Sequence, residues 1–392
     1  MKRIQLKQQI FLFVILRVVY DTSIRMVYPF LPVLARALGV DIATFSLALS
    51  ARSATGFLSP FISTVVDIRG RRGGILSAIA VLIAGNALII FFPVFPVFAL
   101  GLIINSLGTY LLSPSIQAYL GDHTGYEKRG VAIGIIETGW ATSYMLGMPV
   151  VAFLIARFGW LSPFQALALL GAALFLLFYI ILPGDSRKHS PGTRPDFTRA
   201  LRAVFKSPLA WSSLGMAFCN GMAKETVNLV FGVWLEDSFG LAITAIGFSA
   251  ALIGIAEMIG ELLGGLMTWR LGKKGTVAAG YGVMVSSAIG LFLFGGTLPR
   301  ALACYAVMLF AYEIIVVGNF TLMSESLPGA RATLIGTYFA FNALGRTISA
   351  LVTPRIYQVS FNLNLAVLVF FALVAFILLY RMKPVSPSAE AA

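Results

Sequence analysis

The chain has 392 residues, of which 58% are hydrophobic and 11% charged, and its mean hydropathy is +0.89. A water-soluble domain carries about 25% charged residues, so this composition excludes an ordinary soluble protein and calls for a lipid-facing surface. The net charge of +13 does not point to nucleic acid, because the basic residues sit in short clusters between apolar runs and form no continuous basic domain.

A helix needs about 20 mostly apolar residues to cross a bilayer. The sequence predicts twelve such spans, at 11–34, 43–66, 74–92, 96–119, 130–156, 163–182, 209–235, 243–268, 275–296, 300–323, 333–355 and 362–380. The first run is longer than a signal-peptide core and lacks a small-residue cleavage site, so it is expected to be retained. Connectors are short except at 184–208, which holds GDSRKHSPGTRPDFTR. The expected architecture is an all-α polytopic membrane protein. It would have an N-terminal six-helix bundle over 1–183, a cytoplasmic linker over 184–208 and a C-terminal six-helix bundle over 209–392.

Basic residues in the connectors set the orientation. With the N-terminus inside, 20 Lys and Arg fall on the cytoplasmic side, against Arg36, Arg157, Arg300 and Arg355 outside. Both termini are therefore expected in the cytoplasm, with the protein in the cytoplasmic (inner) membrane of a prokaryote, acting as a monomer.

The two halves repeat each other. Gly70, Arg71, Arg72 and Gly73 match Gly272, Lys273, Lys274 and Gly275, each 202 residues later. Arg129 and Gly134 match Arg331 and Gly336 at the same offset. Parallel six-helix halves are a recurring plan among transporters.

These connectors resemble those of the major facilitator superfamily. VDIRGRRGG is similar to the family's signature between helices 2 and 3 through Asp67, Gly70, Arg71 and Arg72, with Ser63 where the leading glycine is usual. LGDHTGYEKRGVAIG, through Asp122, Arg129, Gly130 and Gly134, resembles its connector between helices 4 and 5. SESLPGARATLIG, through Glu325, Pro328, Arg331 and Gly336, resembles its counterpart between helices 10 and 11. The resemblance implies a conformational latch built from Asp67, Gly70, Arg71, Asp122, Arg129 and Arg331. The segment YPFLPVLARALG, through Pro29, Pro32 and Gly39, resembles the helix 1 ending of the drug:proton antiporter branch. That branch usually has an arginine in helix 4, where this chain offers Asn105. Its Gly-Pro motif in helix 5 appears here only as Gly147, Met148 and Pro149.

Eleven charges lie within the spans: Arg17, Asp21, Arg25, Arg52, Glu137, Lys224, Glu225, Glu257, Glu261, Glu313 and Arg346. Each costs about 3 kcal/mol if it faces lipid, so they must meet one another, other polar groups or water. Spans 3, 6, 9 and 12 hold none of them; in the resembled fold these four face lipid. In span 1, Arg17, Asp21 and Arg25 stand at i, i+4 and i+8 and share one face; Asp21 is expected to orient both arginines. Glu257 and Glu261 also share a face, and Arg52 or Arg346 is a candidate to neutralise them. Asn220 and Asn228 extend the stripe of Lys224, and Asn342 that of Arg346.

The substrate cavity is expected to involve Arg17, Tyr20, Asp21, Arg25, Arg52, Tyr144, Asn220, Lys224, Asn228, Tyr312, Asn342 and Arg346. Proton coupling is expected from Glu257, Glu261 and Glu313, with Asp21 a weaker candidate. Tyr28, Trp140, Trp234 and Tyr338 are further aromatics near these charges.

Cys219 and Cys304 lie in apolar runs, and His123 and His189 in connectors. There is no Walker-type phosphate loop and no Ser/His/Asp constellation. The expectation is therefore no enzyme, no cofactor and no metal. The partners would be protons, the bilayer and a small-molecule substrate. The expected activity is secondary transport by alternating access, as proton-coupled efflux of a small amphiphilic drug-like or lipid-like compound. The alternatives are a permease for a small organic anion or zwitterion and, behind it, a channel.

Overall fold

The computed structural model describes residues 6–183, 197–326 and 331–382. The side chains of Asp67, Arg129 and Arg331, and the linker over 184–196, lie outside the described residues. Among the described residues every regular element is helical. Seven helical stretches are long and apolar enough to cross a membrane. One further pair, Leu31–Ala37 with Ile42–Leu58, meets that test together across a 109° bend.

The helices are, in chain order, α1 (Leu6–Arg25), α2 (Leu31–Ala37), α3 (Ile42–Ala54), α4 (Ser59–Phe91) and α5 (Phe95–His123). They continue with α6 (Tyr126–Glu137), α7 (Gly139–Thr142), α8 (Met148–Phe158) and α9 (Ser162–Ile181). A short basic helix, α10 (Phe197–Lys206), precedes α11 (Pro208–Asn228), α12 (Phe231–Phe239), α13 (Ile243–Phe294), α14 (Leu298–Ser326), α15 (Arg331–Val359) and α16 (Phe361–Arg381).

The sequence repeat has a backbone counterpart. Gly70 breaks α4 at φ 79° and Gly272 breaks α13 at φ 72°. Residues with a Cβ rarely adopt this conformation. The same glycine therefore makes the same sharp turn in each half. Of the predicted latch, Arg71 Nε lies 3.0 Å from Asp122 Oδ2 and ties this turn to the end of α5.

Two spans predicted as continuous are interrupted. The run 11–34 breaks over 26–30 between α1 and α2, where Pro29 and Pro32 remove backbone donors. The run 209–235 breaks at Leu229 and Val230 between α11 and α12. No proline explains the second break; its surroundings do. Gly232 lies against the Pro29 carbonyl so closely that a Cβ would overlap it. The two interruptions thus cross each other. Further glycines allow similar approaches nearby, Gly254 on Met145 and Gly56 on Ala343. Upstream of Pro149, which cannot donate to the preceding turn, the helix widens into a π turn over Ser143–Gly147 that carries Tyr144.

Candidate functional site

The first charged group lies wholly in the first half of the chain. The i, i+4 spacing on α1 brings Arg17 Nε to 2.7 Å from Asp21 Oδ2. Arg17 Nη2 also reaches Glu137 Oε2 of α6 at 3.2 Å, and Nη1 donates to the Ser113 hydroxyl of α5. Here two acids face one base. Tyr20 turns away from this group and donates to the backbone carbonyls of Ala78 and Asn105, at 3.3 and 3.2 Å.

The second group joins the halves. Arg25 Nη2 lies 2.5 Å from Glu257 Oε2 of α13, with both side chains buried, and Nη1 donates to the Trp140 carbonyl at 2.7 Å. Its guanidinium sits 3.6 Å from the Tyr144 ring centroid and 4.1 Å from that of Trp140. The quadrupole of a ring face holds a cation in this arrangement. Lys224 Nζ of α11 bridges Glu257 Oε1 at 3.4 Å and Glu313 Oε1 of α14 at 3.0 Å, above the Tyr312 ring at 4.3 Å. Two acids balance two bases.

The third group is centred on Tyr28, in the break between α1 and α2. Its hydroxyl donates to Glu225 Oε1 at 2.8 Å and accepts from Arg52 Nη2 and Arg346 Nη2, each at 2.6 Å. Arg346 Nε lies 2.9 Å from Glu225 Oε2. Here two bases face one acid. Lys224 and Glu225, adjacent on α11, point into different groups, as neighbouring positions on a helix must. Beyond these groups, at the rim, Arg36 pairs with Glu236 through two bonds of 2.6 and 3.3 Å. Tyr357 donates to Asp237 at 2.8 Å.

Several sequence expectations change. Asp21 orients Arg17 but not Arg25, whose anion is Glu257. Arg52 and Arg346 do not neutralise Glu257; Arg25 and Lys224 do, while the two arginines converge on Tyr28. Glu261, one turn from Glu257, has no ion partner among the described residues. Asn220 is turned inside the second half, where its Oδ1 accepts from Tyr281 at 2.8 Å. Asn342 donates to the Ala217 carbonyl at 3.1 Å, and Asn228 is buried. Tyr28 is the main omission from the expected cavity set. Its signal was present, since Tyr28 falls three residues after Arg25 on the same stripe. Among the described residues no cluster of His, Cys, Asp or Glu is arranged to hold a metal ion.

The model for the Major Facilitator Superfamily matches residues 13–350 and 214–392. The chain belongs to this superfamily. It is 26% identical over 352 residues to the MFS-type transporter YceJ of Bacillus subtilis (strain 168), covering 89% of each chain. It is 21% identical over 357 residues to Multidrug resistance protein 2 of the same organism, covering 88% of this chain and 86% of that one. Among solved structures, an inward-facing bacterial homolog of the human lysosomal transporter Spinster aligns with TM-score 0.77 at 14% identity, covering 96% and 98% of the two chains. A D-xylose–proton symporter aligns with TM-score 0.78 at 14% identity, covering 96% and 97%.

This Major Facilitator Superfamily chain is an integral membrane transporter, and its charge groups take on meaning in that frame. Arg25–Glu257, Tyr28–Glu225, Tyr28–Arg346 and Arg36–Glu236 each link the first half to the second. They run from the buried Arg25–Glu257 pair to the solvent-exposed Arg36–Glu236 pair and tie the two halves of the chain together along that line.

Proposed function

We propose that this protein is a secondary active transporter working by alternating access, and that it exports a small amphiphilic compound in exchange for protons. In this reading twelve spans form two six-helix bundles, 1–183 and 209–392, joined by the linker 184–208. Both termini lie in the cytoplasm of a prokaryote, the protein acts as a monomer, and the rim of Arg36 and Glu236 faces outward. The residues of the Arg17, Arg25 and Tyr28 groups line the path, and the turn at Gly70 and Arg71 acts as a latch.

One observation carries the reading: Lys224 is shared between Glu257 and Glu313, while Glu257 also holds Arg25 across the halves. Opening the closed end separates Arg25 from Glu257. A proton on a carboxylate removes the negative partner of a buried cation, so protonation and opening favour each other. Asp21 is spent on Arg17 within the first half and is poorly placed for this; Glu313, which shares Lys224 with Glu257, and Glu261, which has no ion partner among the described residues, are better placed. The likeness to Multidrug resistance protein 2 along most of both chains supports export of an amphiphile.

The test is transport in proteoliposomes with an imposed pH gradient. Accumulation of a lipophilic probe should follow the gradient and collapse with it. Glu313→Gln combined with Glu261→Gln should uncouple the two. Transport that is indifferent to both manipulations rules out proton coupling.

A further inference from the structure

The three charge groups are not equally balanced, and the imbalance has a location. The Arg17 group holds an excess of acid and the Arg25 group is neutral, whereas Arg52, Arg346 and Glu225 leave one positive charge uncompensated. Arg52 is 2% exposed, Tyr28 3% and Glu225 1%. A buried cation short of an anion is unfavourable, and the cost is relieved by an anion that reaches it. The one acceptor that the two guanidinium groups share is neutral, the Tyr28 hydroxyl; Arg52 otherwise donates to the Ile24 carbonyl at 2.9 Å, and Arg346 to Glu225.

Arg346 is the member of this group that a ligand can reach. Its side chain keeps 33% of its exposure. Its Nε is used by Glu225 and its Nη2 by Tyr28, and Nη1 has no acceptor among the described residues. Two oxygens of a carboxylate or phosphate match the fork of a guanidinium, which presents two parallel donors. Arg25 and Lys224, the cations of the neighbouring group, are already matched by Glu257 and Glu313.

We infer that Arg346 and Arg52, held at the junction of the halves by Tyr28 and Glu225, form a subsite for the carboxylate or phosphate head of an amphiphilic anion. The anion takes over from the Tyr28 hydroxyl as acceptor for the two arginines. Because α3 supplies one arginine and α15 the other, the bound anion holds the halves together. This rests on reading the chain as a transporter whose halves separate here. It narrows the cargo from any amphiphile to one with an oxyanion head.

The experiment is a binding titration on the purified full-length protein in lipid nanodiscs, followed by intrinsic tryptophan fluorescence and thermal shift. The probes are octanoate, octyl phosphate, inorganic phosphate and octyltrimethylammonium. Either octyl anion should bind and stabilise the protein, and octyltrimethylammonium should not. Binding of inorganic phosphate as tight as that of octyl phosphate would mark a simple anion site and overturn the amphiphile claim. Arg346→Gln should weaken anion binding about 10-fold or more, the loss of one charged hydrogen-bond pair, with Arg346→Lys intermediate. Tyr28→Phe removes the competing acceptor and should tighten anion binding, which a merely structural tyrosine would not do. Arg52→Gln keeps the test open if Arg346→Gln does not fold, and should weaken binding as well. Binding unaffected by Arg346→Gln and Arg52→Gln overturns the inference, as does a Tyr28→Phe protein that binds no tighter. Anions that bind but are never moved across proteoliposomes would instead count against the transport reading and leave the subsite standing.

Discussion

At the scale of single residues, Glu257 is the hinge of the central network. It accepts from Arg25 at 2.5 Å and from Lys224 at 3.4 Å, and it is fully buried. Breaking such a pair leaves a buried cation without its anion and typically costs about 3–5 kcal/mol. Glu257→Gln should therefore lower unfolding stability by about that amount and abolish transport. Arg25→Met added to Glu257→Gln should recover part of the loss, because the uncompensated charge is gone. The cycle should show a coupling of about 1–3 kcal/mol, measured by denaturant or thermal unfolding in one detergent. Additivity within about 0.5 kcal/mol would mean that the two side chains do not depend on each other. The stripe Arg17, Asp21, Arg25 was legible because the spacing of one helix is local information. The partner of Arg25 was not, because Glu257 lies 232 residues away and no local period encodes it. Tyr28 could be placed near that stripe, but its role appears only when Arg52, Glu225 and Arg346 arrive from three other helices.

At the scale of elements, the fold was read well where hydropathy and glycine do the work and less well where proline and packing do. The glycines at 70 and 272 were visible as a repeat, and both have the positive φ that makes the turn. The break after α1 was marked only by Pro29 and Pro32, and the one after α11 was not visible, since apolar composition continues through both. Those breaks matter because they let α2 and α12 cross, with Gly232 against the Pro29 carbonyl. Gly232→Ala puts a methyl group into backbone that has nowhere to go, so the closed end should no longer form. The expected result is loss of transport with the helices intact by circular dichroism. Gly265→Ala is the control, for nothing lies within 4 Å of its Cβ position. In a helix that change should stabilise by up to about 1 kcal/mol and leave transport unchanged. If Gly232→Ala transports as well as Gly265→Ala, the crossing is not part of the working cycle.

At the scale of the whole molecule, the links between the halves form a graded series from centre to rim. Arg25–Glu257 is buried, the Tyr28 group is partly accessible through Arg346, and Arg36–Glu236 is open to solvent with side-chain exposures of 61% and 32%. An exposed ion pair contributes about 0–1 kcal/mol and weakens as salt rises. The rim pair should therefore bias closure without dominating it. Arg36→Ala should leave stability within about 1 kcal/mol of the parent. It should shift the protein toward opening at that end, and high salt should mimic it. The strong prediction concerns forced closure. With Cys219 and Cys304 replaced, Arg36→Cys and Glu236→Cys can be joined by a short bifunctional maleimide. If alternating access requires these rims to part, joining them should stop transport, whereas each single cysteine treated the same way should still transport. A cleavable crosslinker should give back activity on reduction. Undiminished transport by the joined protein would mean that cargo passes without separation of this rim, which favours a channel-like path over rocking halves.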